Sequence, residues 1–179
     1  MTFGSSQCAG CSPGPLASDD ELPSLEVLLG GLRDPDWETR FDSAAALAAI
    51  DRLPNQAVEA LAIAARDPGP QVRRAAVGTL GQSGRWLALG VIVGALEDPV
   101  ASVREGACVA LSDLGAAGIT GENAAGALLD RLEDPSPRVA YTAYWALGWQ
   151  GGSAANGVRA AFRSSDWGRH VWRVLTAAA

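Results

Sequence analysis

The chain has 179 residues, enough for one domain with a sizeable core, and carries a net charge of −6. That charge argues against general nucleic-acid binding, which needs a basic face for phosphate contacts, and no apolar run reaches the length of a membrane span. The imbalance is uneven: residues 1–135 hold nineteen acids against nine arginines, while residues 136–179 hold five arginines and one acid, Asp166. The C-terminal fifth is therefore the one basic stretch.

Residues 1–22 are rich in Ser, Gly and Pro and read as a flexible leader. Met1 to Ser6 offers neither a basic n-region nor an apolar h-region, so no secretory signal is expected and a cytoplasmic location follows. All 14 basic residues are Arg and none is Lys, which suggests a GC-rich bacterial genome. The leader holds a lone C-x-x-C, Cys8 to Cys11. Structural zinc takes four ligands, usually from two such pairs, and a redox motif should open a helix after a strand. Neither context surrounds these cysteines. No metal and no cofactor is expected, and an odd count of 3 Cys does not suggest a disulfide framework.

From Pro23 the chain repeats itself. Asp-Pro occurs at Asp34, Asp67, Asp98 and Asp134, and a degenerate fifth copy starts at Ser164. Six residues before these positions stand Leu28, Leu61, Ile92, Leu128 and Val158; two before stand Leu32, Ala65, Leu96, Leu132 and Phe162. That spacing of four predicts a first helix with one apolar stripe. Copies two to four carry Val72, Val103 and Val139 at offset +5, Ala76, Ala107 and Ala143 at +9, and Leu80, Leu111 and Leu147 at +13. Those offsets mark one face of a second helix. The Asp suits the N-cap of that helix, the Pro its first turn, and the glycines that follow its C-cap. One unit cannot bury its stripe alone, so the units must stack. The expectation is an all-α, right-handed α-solenoid of about five helix-turn-helix repeats over 23–53, 54–84, 85–118, 119–151 and 152–179.

The run from Asp67 through Val72, Arg73, Ala76 and Leu80 to Gly81 resembles the HEAT-like repeat of the phycobilin-lyase type, and Asp98 to Leu111 matches it nearly as well. The resemblance covers residues 24–179. It implies that the turn Asp and the second-helix Arg form a hydrogen-bonded ladder between neighbours: Asp34, Asp67 and Asp98 with Arg40, Arg73 and Arg104. Ala140 replaces the Arg in the fourth copy, so the ladder should lapse there. Because these charges recur with the repeat, they are assigned to structure rather than catalysis.

The aromatic cluster is the sharpest functional signal. Tyr141, Trp145 and Trp149 lie at i, i+4 and i+8, off the core stripe. If the second helices line a concave surface, offsets +4, +7, +11 and +15 face into it. The groove is then shallow and mixed through Arg74, Gly78, Glu105 and Val109, and aromatic and basic at Arg138, Tyr141, Trp145 and Trp149. Such residues make hot spots for a protein or peptide partner, although they could equally cap the last repeat together with Trp167 and Trp172. Cys108 is read as a small buried hydrophobe and His170 as a helix-surface residue.

No P-loop, G-x-S-x-G or H-E-x-x-H is present, and no catalytic residue is assigned. The leading expectation is a non-catalytic interaction or scaffold module that takes a partner segment in its groove. The resemblance implies an alternative, a bilin lyase or isomerase-like subunit or tetrapyrrole-binding protein. Another HEAT-like group, the deoxyhypusine hydroxylases, uses paired His-Glu motifs for iron; this chain has no His-Glu pair, which excludes that reading. HEAT-like DNA glycosylases suggest a third, nucleic-acid binding, which the acidic N-terminal four fifths disfavours.

Overall fold

The computed structural model describes residues 23–150 and 159–176. Residues 1–22, with Cys8 and Cys11, and Gly151, Gly152 and Val158 lie outside the described residues. Among the described residues, ten α-helical segments follow one another: α1 Leu25–Gly31, α2 Trp37–Ala46, α3 Asn55–Ala64, α4 Pro70–Gln82, α5 Leu89–Ala95, α6 Ala101–Ala116, α7 Glu122–Asp130, α8 Pro137–Gln150, α9 over residues 159–164, and α10 Asp166–Thr176. Short 3₁₀ turns follow α2 and α7 and precede α5. No strand occurs among the described residues.

The second helices α2, α4, α6 and α8 pack side by side, and α1, α3, α5 and α7 each back onto the helix that follows. This is the all-α solenoid that the repeat spacing predicts. Val72, Val103, Val139, Ala76, Ala107, Ala143, Leu80, Leu111 and Leu147 are all fully buried, as are Leu61, Ile92 and Leu128 from the first helices. Burial of this stripe contributes ~0.8 kcal/mol per CH₂ to the core. A second buried column stands at offset +10, with Ala44, Val77, Cys108 and Tyr144. Burial pushes the Cys108 thiol up to about 12, so it stays protonated and packs as a hydrophobe.

The turn Asp is not the N-cap of the second helix. The cap of α2 is Asp36, that of α4 is Gly69 and that of α6 is Val100. The Asp sits two residues earlier, and its Oδ1 accepts the cap residue's N–H: from Asp36 at 2.8 Å, Gly69 at 2.8 Å, Val100 at 2.9 Å and Ser136 at 2.9 Å. The intervening Pro has no N–H to give the helix, so the Asp closes an Asx turn around it.

The C-cap expectation for the glycines divides in two. Gly84 and Gly118 have positive φ, 59° and 79°, and end α4 and α6. At Gly118 the Ile119 N–H reaches the Leu114 carbonyl at 2.8 Å, closing a Schellman motif. Gly81 and Gly115 lie inside their helices for another reason. A Cβ on Gly81 would stand 2.6 Å from the Ala110 Cα, and one on Gly115 would stand 2.7 Å from the Trp149 Cβ. Hydrogen alone permits neighbouring second helices to approach that closely.

Candidate binding groove

The Asp/Arg ladder fixes the register of the second helices, and hence of any groove on them. Arg40 Nε donates to Asp67 Oδ2 at 2.6 Å, Arg73 Nε to Asp98 Oδ2 at 2.6 Å, and Arg104 Nε to Asp134 Oδ2 at 2.8 Å. In each, Nη2 completes a two-pronged contact with the other carboxylate oxygen, while Nη1 reaches back to two backbone carbonyls of its own turn, Asp34 and Pro35 for Arg40. Each guanidinium thus ties its own turn to the next Asp along. Asp34 has no arginine partner of this kind, and Asp134 in the fourth copy, which the expected set omitted, receives the last rung because the pairing runs one repeat forward. After Asp134 no second-helix Arg continues it, since Ala140 stands there.

The ladder carboxylates are held below the usual range. For Asp67 the Arg40 hydrogen bond dominates. For Asp98 and Asp134 burial pushes upward, and the Arg73 or Arg104 contact with a backbone N–H outweighs it. The Asp134 side chain is 0% exposed and its Arg104 partner 11%.

With that register, none of the sixteen positions at offsets +4, +7, +11 and +15 on α2, α4, α6 and α8 is buried, counting Ala49 in the 3₁₀ turn after α2. Phe41, Gln71, Arg74, Gly78, Ser102, Glu105 and Val109 line one open groove of about 660 Å³, with Pro70, Ala75, Val100 and Gly106 completing its walls. Phe41 and Val109 are exposed apolar walls. Arg138 on α8 reaches Glu105 on α6 at 3.4 Å; the arginine is largely exposed, so the pair contributes little.

Further along, Trp145 and Trp149 are 46% and 56% exposed. Trp145 meets Tyr141 and Tyr144 edge-on, with centroids 6.1 Å and 5.4 Å away, and the Arg159 guanidinium lies 4.5 Å from the Tyr144 centroid and 5.7 Å from that of Trp145. The cluster is thus partly an internal contact with the last repeat and partly presented to solvent. Tyr141 lines a separate cleft of about 410 Å³ with Tyr144, Phe162, Arg163, Arg169, Trp172 and Arg173. Phe162 belongs to the apolar stripe expected of the fifth copy and the α10 arginines to the basic C-terminal stretch, whereas Tyr144 carries no expectation from the repeat. Their positions depend on how α9 and α10 turn back over α8, which no repeat spacing states.

Trp167 and His170 do not join the groove. Trp167 donates from Nε1 to the Leu132 carbonyl at 2.9 Å and stacks on exposed His170, with centroids 5.3 Å apart.

The model of the HEAT repeats family matches residues 58–119. Among solved structures, the chain is similar to one from the complex of CpcE and CpcF of phycocyanin lyase from Nostoc sp. PCC7120, with TM-score 0.69 and 23% identity over 90% of this chain and 66% of that one. Two engineered proteins are similar at TM-scores 0.58 and 0.57, with 20% and 19% identity, covering 84% and 78% of this chain and 77% and 69% of theirs. No curated protein sequence matches. In fold the chain is an α-solenoid like that lyase structure, and residues 58–119 match HEAT repeats. At these identities the likeness concerns fold.

Proposed function

We propose that the chain is a non-catalytic interaction module that holds a segment of a partner protein against the open face of α2, α4, α6 and α8. The observation that carries this is the set of exposed apolar side chains on the open faces of α2, α6 and α8: Phe41, Val109, Trp145 and Trp149. Apolar residues scattered singly are ordinary on a surface, whereas a set of them on one face marks an interaction site. The lyase structure of similar fold is itself a complex of two different chains, which supports a protein as the partner class. Among the described residues no helix is long and apolar enough to cross a membrane, so no membrane role is proposed. The acidic bulk of the chain disfavours nucleic acid.

The test is the Trp145→Ala, Trp149→Ala variant in cells that express the protein. Alanine at 149 keeps the Cβ that rests on Gly115, so helicity is retained and stability falls by no more than about 2 kcal/mol. Loss of partner recovery with the fold intact supports the reading. Unfolding would make the rings a cap.

One observation favours a second reading. The cleft bounded by Tyr141, Tyr144, Phe162 and Trp172 with three arginines has the size and lining of a small-molecule site, and would suit an anionic tetrapyrrole such as a bilin. A shift in visible absorbance on adding bilin tests it.

A further inference from the structure

The groove between α2, α4 and α6 holds a glycine that packing does not explain. A helix-interior glycine costs up to about 1 kcal/mol relative to alanine. On the second helices, Gly81 is held by Ala110 and Gly115 by Trp149, while a Cβ on Gly106 or Gly148 would meet the Arg74 or Arg159 side chain. A Cβ on Gly78 would meet nothing within 4 Å. Gly78 lies in the groove with Phe41 and Val109, at the offset where α6 carries Val109 and α8 carries Trp145. The missing side chain leaves a depression between apolar walls.

Arg74 stands one turn earlier on α4. Its stem crosses Gly106, with Cγ 3.2 Å from where a Cβ would be. The chain is exposed and makes no hydrogen bond or ion pair among the described residues. The groove's acid, Glu105, is turned to Arg138 instead. The depression is thus bordered by a cation that makes no ion pair among the described residues.

Resting on the interaction-module reading, we infer that the groove's anchor point is Gly78, and that its occupant is an extended segment of a partner protein carrying a bulky apolar side chain beside an acidic one. The apolar side chain fills the space over Gly78 between Phe41 and Val109. The neighbouring carboxylate pairs with Arg74, the charge complement available in the groove.

The experiment is selection of displayed random 12-residue peptides on the full-length protein, followed by fluorescence anisotropy with the enriched peptide. The enriched sequences should place Asp or Glu next to Leu, Phe or Trp. Gly78→Leu fills the depression and should weaken that peptide at least tenfold, a loss of about 1.4 kcal/mol. Arg74→Gln should weaken it several-fold, and by no more when the peptide's acid is also replaced by its amide. Melting curves of both variants establish that the fold is intact, and Gly78→Ala, a smaller filling, should give an intermediate loss. Enrichment of peptides without an acid, binding by Gly78→Leu within twofold of the parent, or no enrichment at all overturns the inference. If an enriched peptide ignores Gly78→Leu but is lost in Trp145→Ala, the anchor is refuted while the interaction-module reading stands.

Discussion

Gly78 and Gly81 lie one turn apart on α4, and the same substitution at each should act in opposite directions. At Gly78 the added methyl meets nothing within 4 Å, so Gly78→Ala should stabilise by about 0.5–1 kcal/mol through helix propensity. At Gly81 the methyl would stand 2.6 Å from both Cα and Cβ of Ala110. Carbon atoms in contact prefer about 3.5–4.0 Å, so α4 and α6 must separate by roughly an ångström. What the methyl meets is backbone, which cannot swing aside. Overpacking of that kind costs about 1–3 kcal/mol, and after the propensity gain Gly81→Ala should destabilise by about 1–2 kcal/mol. The two variants should then differ by about 1.5–3 kcal/mol, or roughly 3–12 °C in Tm. Urea and thermal unfolding followed by circular dichroism read both. Equal effects of either sign would refute the account of why these glycines are present.

Asp134→Asn leaves the Arg104 guanidinium facing a neutral partner at a fully buried position and should destabilise by about 3 kcal/mol; an Arg104→Ala, Asp134→Ala double-mutant cycle in urea should return a coupling above about 0.5 kcal/mol. The carboxyls of Asp67, Asp98 and Asp134 are held low in the fold, so the unfolded chain binds more protons. Their stabilisation is present above the unfolded value of about 3.9 and is lost as pH falls through the depressed folded values, which urea midpoints between pH 7 and pH 2 should record. Gln150 is buried, donating to the carbonyls of Leu111 at 2.7 Å and Ile119 at 3.0 Å and accepting from the Gly121 N–H at 3.3 Å. Gln150→Leu should cost about 1–3 kcal/mol by thermal unfolding, because the loop after α6 loses its tie to α8.

Whatever recurs from copy to copy was legible in the sequence. Val72, Val103 and Val139 form a column because three copies of one pattern average out local accident, and recurrence likewise exposed the Asp/Arg pairs. Which neighbour each Arg grips was not legible, because spacing fixes position along the chain but not the direction in which a side chain crosses to the next unit. The Asp-Pro turn misled for a local reason. A side-chain acceptor one residue before a Pro cannot serve the Pro nitrogen, and it serves the following N–H instead. Tyr144 had a signal that went unused: it shares offset +10 with Ala44, Val77 and Cys108, a buried column. Gln150, Arg159 and the α10 arginines occur once each, and nothing periodic announces them. In the groove, residue types at the expected offsets were readable. The emptiness over Gly78 was not, since it depends on what fails to fill it.

A photo-crosslinking amino acid placed at Val109 on the open face of the second helices, and in a separate variant at Ile63, an exposed residue of the first-helix layer, tests the interaction reading most directly in cells that express the protein. The account predicts one discrete partner adduct from position 109, absent when Gly78→Leu is added, and none from position 63. Adducts from position 63 alone, or equal adducts from both, would contradict it.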